Sequence, residues 1–166
     1  MRRVLLIAAA LLLAGCGYKP LGAYKDEITG DCVYVKVEGN LRDPQNTIDI
    51  KNAVHEAVLE RFGSRLCDRE RADSRIDVRI RRIGFQTLEY DTYGYAIYYR
   101  AITKLQFRYK KRDSNETKKI VTQGYYDFGV EQNSVITDRL RYEAIKESSK
   151  RAIDHFLAQL FHEGAT

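Results

Sequence analysis

The chain has 166 residues, of which 44% are hydrophobic and 31% are charged, and these values are typical of a globular domain and exclude a disordered chain. A length of this order is sufficient for one domain with a real core. The formal net charge of +5 is compatible with an acidic partner but does not require one.

The N-terminus has the pattern of an export signal. Arg2 and Arg3 precede a short apolar run over residues 4–13, and small residues follow it. The run is too short to cross a bilayer as a helix. We therefore predict a signal peptide over residues 1–15.

The signal ends in Leu-Ala-Gly-Cys at residues 13–16, which resembles the lipobox of bacterial lipoproteins. In those proteins the cysteine thiol receives a diacylglycerol and the freed amine is usually acylated, so that two or three chains give stable anchoring. The resemblance implies that Cys16 is lipidated. The alternative is an ordinary signal peptide with a cysteine nearby.

A tether and a first strand follow the lipobox. Residues 16–30 contain Pro20, three glycines and few large aliphatic residues, which predicts a lipidated tether, and residues 31–163 are predicted to form a single domain. From Cys32 to Glu38, valines alternate with polar or aromatic residues, which is typical of a half-buried strand.

The first helix is predicted to begin near Asn46 or Thr47, either of which can cap it, and to fray near Gly63. Its apolar residues recur at spacings of three and four and form one stripe. These residues are Ile50, Ala53, Val54, Ala57, Val58 and Phe62.

Three strands are predicted next, over residues 74–85, 95–110 and 117–131, each with one apolar face. The pair Arg81-Arg82 interrupts the alternation of the first of them, which indicates a β-bulge. Residues 111–116 form a polar hairpin turn between the second and the third.

The final helix is predicted from Thr137 or Asp138 to His162, with an apolar stripe that ends at Leu160. The order strand, helix, three strands, helix predicts an α+β fold. We expect a two-layer sandwich in which two helices cover one face of a four-stranded, mostly antiparallel sheet.

This order places Cys32, at the start of the first strand, and Cys67, just after the first helix, at the same pole of the domain. An exported protein in an oxidising compartment can then form a Cys32–Cys67 disulfide. In the chain-entropy model such a bridge contributes about 3–4 kcal/mol. The alternative is a pair of buried free thiols.

No convergent set of catalytic groups is visible. His55, His155 and His162 all fall on predicted helices without the spacing of metal ligands, and the sequence has no nucleophile elbow, P-loop or Cys-x-x-Cys motif. We predict no enzymatic activity, no metal and no cofactor.

Basic residues share the face of the sheet that points away from the predicted helices. Arginine can bind a phosphate bidentately and lysine can bind it as a point charge, and this combination suits an anionic amphiphile. The alternative is a solvated sheet face whose charges discourage aggregation, and the strand pattern alone favours that alternative. The predicted set is Arg79, Arg81, Arg100, Lys104 and Arg108.

The hairpin turn carries Asn115 in the pattern Asn-Glu-Thr, which is an N-glycosylation acceptor. Asp113 lies two places before it, as in the extended acceptor used by some bacteria that glycosylate in the periplasm. The alternative is a simple polar turn, where Asp, Ser and Asn are expected anyway.

With lipobox, tether and element order together, the chain resembles the LptE family of lipopolysaccharide-assembly lipoproteins. The resemblance is carried by Cys-Gly-Tyr at residues 16–18, the strand-helix-three-strand-helix order and the helical ending. It implies an outer-membrane lipoprotein on the periplasmic side, without catalytic activity, that plugs and helps to assemble an LptD-type barrel. The implied partners are that barrel, lipopolysaccharide and the membrane, and not nucleic acid.

Two other functions stay open on the sequence alone. One is a periplasmic lipoprotein that binds another envelope protein or peptidoglycan without a barrel. The other is a lipid-anchored hydrolase with an unrecognised site. Recovery of an outer-membrane barrel with the protein would separate the first from the LptE-like function.

Overall fold

The computed structural model describes residues 28–39, 44–131 and 134–164. The predicted signal peptide, the lipidation site at Cys16 and most of the predicted tether lie outside the described residues. Residues 28–30, the last of that tether, pack against the domain. Ile28 and Thr29 are buried, the Tyr109 hydroxyl donates to the Ile28 carbonyl, and the Ser74 hydroxyl donates to the Thr29 carbonyl at 2.7 Å.

Seven elements follow in order, with the bounds β1 Cys32–Glu38, α1 Pro44–Arg61, β2 Arg65–Leu66, β3 Ser74–Tyr90, β4 Ala96–Lys111, β5 Lys118–Gly129 and α2 Asp138–Gly164. The strands form one sheet in the order β2-β1-β3-β4-β5. β1 is parallel to β2 and β3, whereas β3, β4 and β5 are antiparallel to their neighbours.

The predicted α+β sandwich is confirmed, with small differences in the number and the direction of the strands. The sheet has five strands because β2 adds a two-residue pairing at the edge beside β1, and it is mixed because β1 is parallel to both β2 and β3. A strand of that length has no periodicity that a sequence pattern could reveal. The parallel pairing of β1 with β3 follows from α1, which carries the chain back before β3 begins.

The core lies between the sheet and the two helices. Its centre is a stacked pair, Phe107 of β4 and Phe156 of α2, with ring centroids 4.0 Å apart. Both rings are buried, and burial of each side chain is worth about 1.5–3 kcal/mol. The surrounding fully buried residues come from both layers and include Val33, Val54, Val58, Ile76, Val78, Leu105 and Ile153.

The predicted bulge in β3 is confirmed. Ile80 pairs with Leu105 and Arg82 pairs with Lys104, so Arg81 is the extra residue on β3. The bulge shifts the alternation by one position, so that Ile83 returns to the face that packs against the core.

The sulfurs of Cys32 and Cys67 are joined in the structure, with the Cα atoms 5.7 Å apart. The Cys67 backbone N–H also donates to the Val33 carbonyl at 3.0 Å. The bridge therefore joins the start of β1 to the segment that follows β2, at the pole where the sequence places both residues. A disulfide in the exported protein stays a prediction.

α2 approaches β5 closely at Gly124. A Cβ atom at this position would lie 2.0 Å from the Ser148 carbonyl oxygen and 2.4 Å from the Ala152 nitrogen. On either side, Thr122 Oγ1 donates to the Ala152 carbonyl at 2.6 Å, and the hydroxyls of Thr103 and Ser148 are hydrogen-bonded at 2.7 Å. Because the side chains at this interface are small, the backbone of α2 lies directly against the backbone of β5.

We expect Gly124→Ala to destabilise the domain by about 1–3 kcal/mol or more, because the added methyl group overlaps helix backbone that cannot rotate away. Gly84→Ala is the matched control, since that strand glycine meets only the Arg82 side chain at 3.7 Å. The measurement is urea unfolding of both variants and the wild type. A Gly124→Ala variant as stable as Gly84→Ala would contradict the close approach.

Candidate anion-binding face

The sheet surface opposite the helices is called the open face here. Arg79 on β3 and Arg100, Lys104 and Arg108 on β4 all lie on it, because they alternate with the core residues of their strands. The structure therefore brings four of the five predicted basic residues together on one surface. The fifth, Arg81, is the exposed extra residue of the bulge.

Glu38 of β1 bridges two arginines at the end of the open face where the β1–β3 pairing ends. Arg79 Nε donates to Glu38 Oε2, and Arg108 Nη2 donates to Glu38 Oε1 at 2.9 Å. The hydrogen bond from Arg79, helped by the positive charges of Arg79 and Arg108, lowers the pKa of Glu38 below its ordinary value of 4.5. The same hydrogen bond raises the pKa of Arg79.

Asp127 of β5 neutralises Arg100 in a bidentate pair. The Nε and Nη2 atoms of Arg100 donate to the two carboxylate oxygens, each at 2.7 Å. The hydrogen bond from Arg100 lowers the pKa of Asp127. The guanidinium also lies 5.4 Å from the centroid of the Tyr125 ring, within the range of a cation–π contact.

The middle of the open face keeps its positive charge. Arg82 and Lys104 are paired residues of neighbouring strands, both are exposed, and neither forms a salt bridge with any residue that the structure describes. Like charges directly opposite each other on a sheet are unfavourable. We call Arg82 and Lys104 the central basic pair.

Polar and apolar side chains surround the central basic pair on the β5 side. Gln123 is the β5 partner of Lys104, and the next pair of residues on the same face is Ile102 and Tyr125. Tyr125 and Val121 are exposed on β5. The face thus offers two cations beside an apolar and aromatic strip, which is the arrangement that an anionic amphiphile requires.

The structure changes the relative importance of the predicted residues. Arg79, Arg100 and Arg108 already have carboxylate partners, so Lys104 alone of the four residues that share the face is without one among the described residues. Arg82 was not predicted. The interrupted alternation at residues 81–82 was the signal for it. Because Arg81 is the extra residue of the bulge, the next residue, Arg82, lies on the same face as Arg79.

The described part of the chain holds no group of three or more His, Cys, Asp or Glu residues placed to bind a metal. His155 lies with its Nδ1 2.9 Å from the Gln123 carbonyl, so this ring is engaged with the β5 backbone. No described helix combines the length and the apolar character needed to cross a bilayer.

The two-layer fold is that of several bacterial lipoproteins of known structure. Rare lipoprotein B from Shewanella oneidensis superposes with a TM-score of 0.54 at 13% identity, over 80% of this chain and 96% of that chain. A putative lipoprotein from Caulobacter crescentus gives a TM-score of 0.57 at 10% identity, over 89% and 98%. Lipoprotein B from Nitrosomonas europaea gives 0.54 at 11% identity, over 82% and 85%.

Residues 34–160 match the LptE family, whose description is lipopolysaccharide assembly, and the chain belongs to that family. A comparison with curated protein sequences finds no significant match. The chain is therefore a lipopolysaccharide-assembly lipoprotein in the general sense that the family defines, and the family is one of non-enzymatic assembly proteins.

Glu38 and Asp127, the two carboxylates of the open face whose pKa values are lowered, predict a loss of stability in acid. Because their folded pKa values are lowered, the stabilisation is complete above the unfolded values and is lost as pH falls through the lower folded values. We expect the urea midpoint to fall below about pH 4.5, and Glu38→Gln to make this decline shallower. An equally steep decline in both proteins would contradict a pairing role for Glu38.

Proposed function

We propose that this protein partners an outer-membrane β-barrel of the LptD type and that its open face holds the phosphates of lipopolysaccharide during delivery to the outer leaflet. The observation that carries the second part is the central basic pair. Two cations without a carboxylate partner in the described part of the chain, in a protein of a lipopolysaccharide-assembly family, suggest an anionic group of the cargo as their partner.

The division of charge on the open face supports this assignment. Arg79 and Arg108 share the single carboxylate of Glu38, and Arg100 is paired with Asp127, so each of these arginines already has a carboxylate partner. A phosphate that approaches the middle of the sheet would find Arg82, which can donate two hydrogen bonds, and Lys104, which supplies a mobile charge. Ile102 and Tyr125 would lie beside the less polar part of the ligand.

Anchoring is the second element of the proposal. Lipidation of Cys16 would hold the protein at the periplasmic side of the outer membrane, and the twelve residues from there to Ile28 would reach at most about 40 Å. The domain can therefore engage a barrel only close to that membrane. An oxidising compartment would also maintain the Cys32–Cys67 disulfide.

No bond needs to be made or broken in this function. The protein would support the barrel and offer lipopolysaccharide a charged surface, and its contribution would be binding and position. Binding through exposed cations is screened by salt, so we expect the affinity for lipopolysaccharide to fall as ionic strength rises.

Charge reversal of the central basic pair tests the ligand. We expect the Arg82→Glu, Lys104→Glu double variant to bind lipopolysaccharide about tenfold more weakly than the wild type, because each reversal removes an exposed attraction worth about 0.2–1 kcal/mol and adds a repulsion of similar size. The matched control is Lys51→Glu with Arg139→Glu, which changes the net charge equally but lies on the helices. The measurement is binding of the purified domain, with circular dichroism as the folding control.

Equal binding by the two folded double variants would remove the central basic pair from the mechanism. Lipopolysaccharide from which the phosphates have been removed provides a second arm. The wild type should bind the dephosphorylated ligand more weakly than lipopolysaccharide. The central double variant, whose affinity is already reduced, should bind the two ligands almost equally. A wild type that binds both ligands equally would show that it does not recognise phosphate.

Purification of the lipidated protein in mild detergent tests the barrel partner. We expect an outer-membrane barrel to be recovered with the wild type in a defined ratio, and Cys16→Ala to accumulate as unprocessed precursor that recovers much less of it. The barrel should be recovered equally with the central double variant if docking and lipopolysaccharide binding use different surfaces. Recovery of peptidoglycan or of another envelope protein instead would favour the alternative function.

A further inference from the structure

The turn between β4 and β5 carries a motif that has no role in the function proposed above. Residues 113–117 read Asp-Ser-Asn-Glu-Thr, and Asn115 is the only asparagine of the sequence that has Ser or Thr two places after it. An asparagine in this pattern is the acceptor of N-linked glycosylation. An acidic residue, Asp113, also lies two places before it.

The structure places this motif where an enzyme can reach it. Residues 112–117 connect the strands without belonging to either, and Asp113, Asn115 and Thr117 are exposed. Neither the Asn115 nor the Thr117 side chain forms a hydrogen bond with any residue in the described part of the chain. The acceptor amide is therefore available without any loss of structure.

Residues 113–117 of the turn can also change their conformation at little cost. They are held by a bond from the Glu116 N–H to Ser114 Oγ at 3.1 Å and by a long contact from the Ser114 N–H to the Lys111 carbonyl at 3.4 Å, whereas Arg112 anchors the start of the turn through its N–H to the Asp73 carbonyl and its side chain to the Glu70 carbonyl. Opening the bonds of Ser114 and Glu116 leaves the Arg112 anchor and the β4–β5 ladder intact. A glycosyltransferase must bind several residues of its acceptor in a chosen conformation, and this turn can supply them.

We propose that Asn115 is a site of N-linked glycosylation by an oligosaccharyltransferase that acts outside the cytoplasm. The donor class is an oligosaccharide linked to a polyprenyl diphosphate. The amide nitrogen of Asn115 forms a bond to the anomeric carbon of the sugar, the bond from that carbon to the phosphate oxygen breaks, and polyprenyl diphosphate leaves. The amide loses one proton to a base of the transferase.

Asp113 and Thr117 have distinct roles in recognition. A carboxylate two places before the acceptor suits a cationic side chain of the transferase, since charge-assisted hydrogen bonds are the stronger ones. The Thr117 hydroxyl supplies a contact to the transferase, and the hydroxyl of a serine at this position could make the same contact. The proposal rests on export of the chain and does not depend on lipopolysaccharide binding.

A glycan on this turn would not obstruct the central basic pair. Lys104 is separated from Lys111, at the end of β4, by about 24 Å of extended strand. The turn lies at the pole where β1 begins, since Arg112 N–H donates to the Asp73 carbonyl at 2.8 Å and Asp73 N–H to the Cys32 carbonyl at 2.8 Å. The sugar would therefore extend from the end of the domain near the membrane tether.

The test produces the full-length exported protein in bacteria with an oligosaccharyltransferase that requires an acidic residue two places before asparagine, and with its lipid-linked oligosaccharide. Intact mass should increase by one glycan, and peptide analysis should place it on Asn115. We expect Asn115→Gln and Thr117→Ala to abolish the increase and Thr117→Ser to preserve it. Asp113→Ala should reduce occupancy at least about tenfold, and Asn52→Gln should have no effect.

A reference acceptor protein in the same cells shows that the pathway is active. If the reference is modified and the wild-type chain is not, the proposal is wrong. A peptide of residues 111–119 that is modified when the folded chain is not would show that the turn is blocked, and this too would overturn it. Either failure leaves the lipopolysaccharide-binding measurement unaffected, so the two proposals are separable.

Discussion

The close approach of α2 to β5 at Gly124 is the constraint on which the rest of this structure depends. Because the Ser148 carbonyl and the Ala152 nitrogen occupy the space of a missing side chain, the helix backbone lies directly on the sheet. In the same helix–sheet interface, Phe156 of α2 stacks on Phe107 of β4. Both helices contribute to this one core, so the opposite face of β3, β4 and β5 is left uncovered.

The uncovered face is stabilised by ion pairs on both sides of the central basic pair and not at that pair itself. Glu38 holds two arginines of the open face and Asp127 holds one, and the lowered pKa of each carboxylate reflects those hydrogen bonds. The central basic pair has no such counterion among the described residues, and two like charges on paired strands repel each other. An anion that binds beside both cations would relieve this repulsion and would therefore stabilise the folded domain.

Much of the fold follows from periodicity. The alternation in β1, β3, β4 and β5 and the stripes of α1 and α2 predict which residues enter the core, and the interrupted alternation at Arg81-Arg82 predicts the bulge. The partners of the arginines do not follow in the same way. Glu38 meets Arg79 through the parallel register of β1 and β3 and meets Arg108 across β3, and no pattern within one strand fixes a register between strands.

An exposed pair of cations also suits the delivery of a ligand better than its storage. Ions at a surface interact weakly because water and salt screen them, whereas buried charges would bind a phosphate tightly and release it slowly. Arg82 and Lys104 are exposed, and the arginines that could have strengthened the site are bound to Glu38 and Asp127. Glu38 and Asp127 therefore limit the positive charge that is available to lipopolysaccharide. A ligand held by two screened contacts can be released to a partner without any bond being made or broken.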